Sequence, residues 1–384
     1  MRSRALRAAA TAAAVGLAVA NCGRSQATFS KCEVVVTAPW GSGQGEVGHG
    51  TWRWPGVPEF AGTTAPEDAI ECSAGFWVAD SANGRAVLFD QSGRWVHNAV
   101  MPVPGRIHGE PLLLALSRAG DLFVIERGPR GEVAPDAYEN PGLAVFGPGG
   151  DLLSSNSDVP WAPGEPPEPL WARNVVALSA GPRDAYICLK SRDAKRLGVF
   201  RVSRDKQQME FVGAPPQSPL SVRCAAFGWA GDEPVLHCVA GSGTGGDGAQ
   251  TVHGLRWTIT RADGTAVAEH PFGLRSRAEM LGLVGLGATA GGDLYLTKLD
   301  WTRDAKGRYW YKDIRTSVVV LRGSDGAMLE QPAEELEQMA TDAGVPQWTD
   351  RYYLRVSAAG DLLVGFICDD SFRLVRYTRG PAGG

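Results

Sequence analysis

The chain has 384 residues, 44% apolar and 21% charged, and its 38 Lys plus Arg against 42 Asp plus Glu leave a net charge of −4. That balance provides no general attraction to nucleic acid, and the ordinary apolar share rules out disorder over most of the length. After the first twenty residues no apolar run approaches the ~18 that a bilayer-spanning helix needs, which excludes a polytopic helical membrane protein. The 49 Gly and 25 Pro exceed the usual share and point to many short elements joined by turns.

In chain order, Arg2, Arg4 and Arg7 precede an apolar run of 13 residues at 8–20, AAATAAAVGLAVA. Its length and basic flank are those of an export signal. Val19-Ala20-Asn21-Cys22 resembles the cleavage box of bacterial lipoproteins, whose cysteine becomes lipid-modified. Asn21 departs from the small residue usual there, and ordinary cleavage after Ala20 stays open. The resemblance implies a signal peptide at 1–21, lipidation at Cys22 and a tether at 22–31. Gly23 after the cysteine implies outer-membrane sorting, with a periplasmic or secreted protein as the other outcome.

Six further cysteines contain no C-x-x-C pair, so neither a structural zinc site nor a thioredoxin-like site is expected. Cys224 and Cys238 are symmetric about Gly231 in the turn WAGDEP, so they are expected to meet across a hairpin as a disulfide. Two separate buried thiols are the alternative.

A weak repeat fills the rest. Its units are 70–96, 113–126 with 142–153, 175–189 with 197–205, 222–239 with 254–264, 285–298 with 317–326, and 353–366 with 372–380. The third strand of each carries Phe89, Phe146, Phe200, Trp257, Leu321 or Tyr377, at steps of 57, 54, 57, 64 and 56 residues. Six units of short strands and tight turns predict an all-β fold, a six-bladed β-propeller of four-stranded antiparallel blades. The strand CEVVVTA, 32–38, has no unit of its own and is predicted to close the ring as the outer strand of blade six. One domain then covers 32–380, followed by a flexible tail at 381–384.

The stretch FWVADSANGRAVLFDQSGRWV, 76–96, resembles an NHL-type propeller repeat: an apolar strand, Asp, a loop with Asn and Arg, an apolar-aromatic strand and a DxxG-like turn. PWGSGQGEVG (39–48) and APEDAI (65–70) resemble the opening of exported bacterial NHL-like proteins. The resemblance covers residues 39–97 and implies fold and location, but little about activity.

The phasing puts short turns on one face and the long connections 39–66, 127–141, 154–172, 240–252, 299–315 and 330–350 on the other. Loops set on a rigid scaffold are where binding usually sits. Two of them are rich in aromatics: Trp40, His49, Trp52 and Trp54, then Trp301, Tyr309, Trp310 and Tyr311. Such rings offer flat faces to a sugar or a protein, or simply pack the loops onto the rim. Just before the inner strands lie Glu67, Asp68, His108, Glu110, Arg173, Asn174, Arg223, Glu279, Asp350 and Arg351, a mixed ring at the channel mouth. Glu67, Glu110, Asn174 and Glu279 could supply oxygen ligands to a cation, but the arginines compete for the same carboxylates. No metal or other cofactor is therefore expected.

No G-x-S-x-G, P-loop, H-E-x-x-H or EF-hand loop occurs. Residues 332–342 read as a surface helix, and the glycine-rich 241–248 as a flexible loop. The expected role is a monomeric, exported, lipid-anchored scaffold that binds an envelope protein, peptide or glycan through the long-loop face. Its ligand-binding set is Glu67, Asp68, His108, Glu110, Arg173, Asn174, Arg223, Glu279, Arg351, Trp301 and Trp310. The alternative is a lactonase-like metal-dependent hydrolase or lyase acting in the channel.

Overall fold

A computed structural model describes residues 28–54, 57–101, 112–126, 142–156, 158–160, 168–169, 175–191, 195–204, 209–216, 222–246, 251–276, 280–301 and 315–380. Six four-stranded antiparallel sheets form the blades of a propeller. Blade one is Ala69–Cys72, Gly75–Asp80, Arg85–Asp90 and Trp95–Val100, in spatial order from the channel outward. Blades two to five repeat this order, with inner strands Leu112–Leu116, Val175–Ala180, Val222–Ala230 and Met280–Ala288. Blade six runs Trp348–Val356, Leu362–Cys368 and Ser371–Arg379, and takes Phe29–Pro39 as its outer strand.

Each seam between neighbouring blades holds one apolar cluster. Trp77, Leu88, Leu114 and Phe146 fill the seam between blades one and two, and Phe123, Ile125, Ile187 and Phe200 fill the next. Alternate residues of one strand serve opposite seams: Val319 and Leu321 face blade four, while Val318 and Val320 face blade six. This is why strands such as LLVGFIC, buried along its whole length, read as unbroken apolar runs.

The recurring AGD-type turn has a local cause. The Ser117 and Thr289 hydroxyls accept the backbone N–H of Asp121 and Asp293 at 3.0 and 3.1 Å, and Ser357 does the same for Asp361 at 3.1 Å. The glycine before each Asp has φ of +89°, +83° or +96°, a region that a side chain disfavours. These turns line one face of the ring. The six third-strand residues are all buried, but they are not all equivalent. Phe89, Phe146 and Leu321 directly precede the turn, whereas Trp257 lies three residues before Thr260, the residue in that place in blade four.

The closing strand is longer than the sequence suggested and begins inside the stretch expected as a tether. Phe29 is 1% exposed, packs against Tyr295 and Tyr377, and lies opposite Arg379. The Gln331 side-chain oxygen accepts the Thr28 and Phe29 N–H groups at 3.0 and 3.1 Å. The helix Ala333–Asp342 matches its prediction and is tied to this strand and to blade six through Cys32 and Tyr377, which donate to the Met339 and Leu336 carbonyls. Residues 1–27 and 381–384, with the proposed signal and the tail, lie outside the described residues.

Two expectations are corrected. The stretch 241–246 is not a loop but continues the strand Glu233–Gly246, pairing with 251–255. The hairpin Val222–Gly246 turns between Ala230 and Glu233, half a residue off the assumed centre, so Cys224 faces Val239 and Cys238 faces Ala225. A one-residue slip sends side chains to opposite faces. Cys224 therefore packs toward blade five and Cys238 toward blade three, both as free thiols.

Two outcomes follow. Phe29→Ala should lower the unfolding free energy in denaturant titration by about 3–5 kcal/mol. Peptide mapping of a non-reducing digest should recover Cys224 and Cys238 in unlinked peptides.

Candidate functional site

Asp68 precedes the inner strand of blade one and is 2% exposed. Its Oδ2 accepts the Arg355 Nη2 of blade six at 2.6 Å and the Leu114 backbone N–H of blade two at 2.8 Å. Its carbonyl accepts the Ala79 N–H at 2.8 Å. Burial pushes the carboxyl up from its usual value, against the pull of Arg355 and the backbone donors. Asp68, singled out at the channel mouth, fastens three blades together.

A second polar group occupies the seam between blades four and five at its long-loop end. The blade-four strand Thr251–Arg261 turns Leu255, Trp257 and Ile259 toward blade five, and His253 continues that row. The facing strand Leu294–Trp301 turns Leu294 and Leu296 toward blade four, followed on the same side by Lys298 and Asp300. Lys298 Nζ lies 2.9 Å from Glu330 Oε1 and 3.4 Å from Asp300 Oδ2, with its side chain 8% exposed. The Ser317 hydroxyl donates to the same Glu330 oxygen at 2.6 Å. Burial, then the nearby Arg223 and Lys298 cations, lower the His253 pKa, with Asp300 opposing them. Arg223 is exposed at the start of its inner strand, with its guanidinium alongside Gly241. The extended strands of blade four, Glu233–Gly246 and Ala266–Ser276, carry its sheet past the blade end beside this group.

The other predicted residues do not assemble with these. Arg351 turns into the seam between blades five and six and pairs with Glu337 at 2.6 Å. Glu67 is half-buried, and Trp301 ends the second strand of blade five opposite Met280. His108, Glu110, Arg173, Asn174, Glu279 and Trp310 lie outside the described residues, so of the four possible cation ligands only Glu67 is described. Among the described residues no group of three or more His, Cys, Asp or Glu is arranged to hold a metal.

Trp40 serves packing: its Nε1 donates to the Cys368 carbonyl at 2.9 Å and its ring lies 4.6 Å from that of His49. The loop after it is pinned by Arg85, which pairs with Asp80 at 2.8 Å and donates to the Ser42, Gly43 and Glu46 carbonyls. His253 and Lys298 were passed over as strand residues, and Asp300 and Glu330, at the edges of the expected connections 299–315 and 330–350, lie on strands. A signal existed in Leu294, Leu296, Lys298 and Asp300, alternate positions on one strand where an apolar face turns charged.

Blade four also buries a row of rings. Trp257 stacks on His237 at 5.7 Å, donates to its Nδ1 at 3.2 Å, and packs against His270 at 5.1 Å. Burial lowers the His237 pKa from 6.5 to about 4.

No protein-family model and no curated protein matches the chain. Solved structures resemble it. Hydrazine synthase from Kuenenia stuttgartiensis matches at 11% identity over 78% of this chain and 73% of that one, with a TM-score of 0.46. A protein of unknown function from Dyadobacter fermentans matches at 11% identity over 91% of this chain and 97% of that one, also at 0.46. The Dos1 propeller matches at 9% identity over 92% and 97%, at 0.40. At such identities and TM-scores the likeness carries no argument, and the six-blade assignment rests on the strand order.

Arg355→Leu should strand the buried Asp68 carboxylate and cost about 3–5 kcal/mol in denaturant titration, part of which Asp68→Asn in the same chain restores. Acid sensitivity follows from His237. The unfolded chain takes up its proton first as pH falls, so stability present above 6.5 is lost towards about 4. The full loss is on the order of 3 kcal/mol, and His237→Phe should flatten the melting-temperature profile in that window.

Proposed function

We propose that the protein is an exported, lipid-anchored propeller of the NHL-repeat type that binds a protein, peptide or glycan of the cell envelope through its long-loop face. The observation that carries this reading is the contrast between the two faces. One is closed by tight turns cross-linked between blades: Arg379 pairs with Asp293 at 2.6 Å, Arg204 with Asp121 at 3.3 Å, and Arg118 reaches Asp232. At the other face the long connections begin and end, and it carries the extended strands of blade four, the exposed Arg223 and the buried Lys298 with its partners Asp300 and Glu330. The resemblance at Asp80, Asn83 and Arg85 supports the NHL type, and the basic and apolar leader with Cys22 supports export and anchoring.

Capture of envelope proteins, peptides and polysaccharides by the full-length chain tests this. Arg223→Ala with Trp310→Ala should reduce capture by about tenfold, while Arg118→Ala on the turn face leaves it unchanged. Equal loss from either face rejects a long-loop binding surface. Labelled fatty acid should enter the wild-type chain and not Cys22→Ser, and its absence from both rejects the anchor.

A further inference from the structure

The group at the long-loop end of the seam between blades four and five is balanced in charge but not in hydrogen bonds. Lys298 and Arg223 offset Asp300 and Glu330, while burial and the neighbouring cations, against Asp300, shift His253 toward its neutral form. One Glu330 oxygen takes donors from both Lys298 and Ser317, and Asp300 Oδ2 faces Lys298. Asp300 Oδ1 and His253 Nε2 are buried without a hydrogen-bond partner among the described residues. His253 is 8% exposed and lies on the strand face that carries Leu255 and Trp257 toward blade five. Two unsatisfied polar atoms of this kind at one end of a seam call for a partner that the described residues do not supply, a water or a ligand.

Charge selects the ligand. An ammonium would leave the group net positive, with Lys298 and Arg223 repelling it. A carboxylate or phosphate would meet the unsatisfied Asp300 oxygen. Neutral hydroxyls fit both atoms: one O–H donates to Asp300 Oδ1, and a second forms a hydrogen bond with His253 Nε2, which a neutral imidazole allows as donor or acceptor. The exposed Arg223 guanidinium at the rim can donate to a further ligand oxygen. We propose that this seam binds a neutral, hydroxyl-rich ligand, a sugar unit of a glycan, with Asp300 and His253 as its hydrogen-bonding residues. The inference rests on the long-loop binding reading and narrows it to one ligand class and one seam.

The test titrates the detergent-solubilised full-length chain with glucose, galactose, mannose, N-acetylglucosamine and their disaccharides. Putrescine and acetate serve as cationic and anionic probes. Saturable binding of at least one neutral sugar is expected, seen by saturation-transfer NMR and calorimetry. Asp300→Ala should weaken it at least about tenfold, Asp300→Asn less because an acceptor oxygen remains, and Arg118→Ala should leave it unchanged. Should Asp300→Ala fail to fold, hydrogen exchange on the wild-type chain decides, with sugar-induced protection expected at 251–255 and 297–300. Preference for putrescine or acetate, protection elsewhere, or no sugar binding overturns the proposal. So does a crystal structure from sugar-soaked protein with only ordered water on Asp300 Oδ1. Capture of an envelope component through the long-loop face without sugar binding removes this inference and leaves the broader reading standing; failure of both removes both.

Discussion

A ring of sheets has one seam that the chain cannot close by simply continuing, and the stability of every other seam depends on it. Here the first and last blades meet through Val36, Phe76, Val87 and Phe372, and through charged side chains at its margins. Arg376 of the last strand reaches Glu33 on the closing strand and Glu71 in blade one, with its guanidinium 5.9 Å from the centre of the Phe76 ring. Arg355 and Asp68 do the same nearer the channel. Because the closing strand is antiparallel to its neighbour along 29–39, blade six cannot be completed until both ends of the ring are in hand. The non-local pairing is an entropic cost paid once, after which each seam buries side chains from two blades.

The same seam architecture explains why polar chemistry appears where it does. A strand crosses from the turn face to the long-loop face, and its inward row is apolar for most of that distance. In blade five the row turns from Leu294 and Leu296 to Lys298 and Asp300 before the strand ends. Burying a lysine beside two partly buried carboxylates carries a desolvation penalty that their mutual pairing only partly offsets. Packing alone would have been served by aliphatic residues, so these positions are the part of the interior least explained by folding.

Much of the fold was legible because repetition multiplies weak signals. No single AGD turn proves a hairpin, but Ser117–Asp121, Thr289–Asp293 and Ser357–Asp361 fix the phase of three blades, and the third-strand spacing carries the others. The spare strand at 32–38 followed from counting. Where the reading failed, it failed by one residue or by one level of structure. The Cys224–Cys238 pairing depended on the centre of a single turn, and half a residue there sends the two thiols into different seams. The candidate site was sought in loops and mouth residues. Asp68 and Arg351 proved to be committed to Arg355 and Glu337, partners distant in sequence that no local pattern reveals. The placement of His253 and Asp300 on facing strands is likewise a relation between blades and becomes visible only when two strands are laid face to face.

The position of Phe29 gives the molecule a direction. Phe29 lies opposite Arg379, whose N–H is held by the Asp361 side chain of a tight turn, and the Gly380 N–H closes on the Thr28 carbonyl. The chain upstream of the ring therefore leaves at the turn-face end of blade six. From Cys22 to Thr28 is six residues, a reach of roughly 20 Å when extended. An anchor at Cys22 on so short a leash would press the latched turn face towards the bilayer and hold the seam with His253 and Asp300 outward, like a dish facing away from its mount.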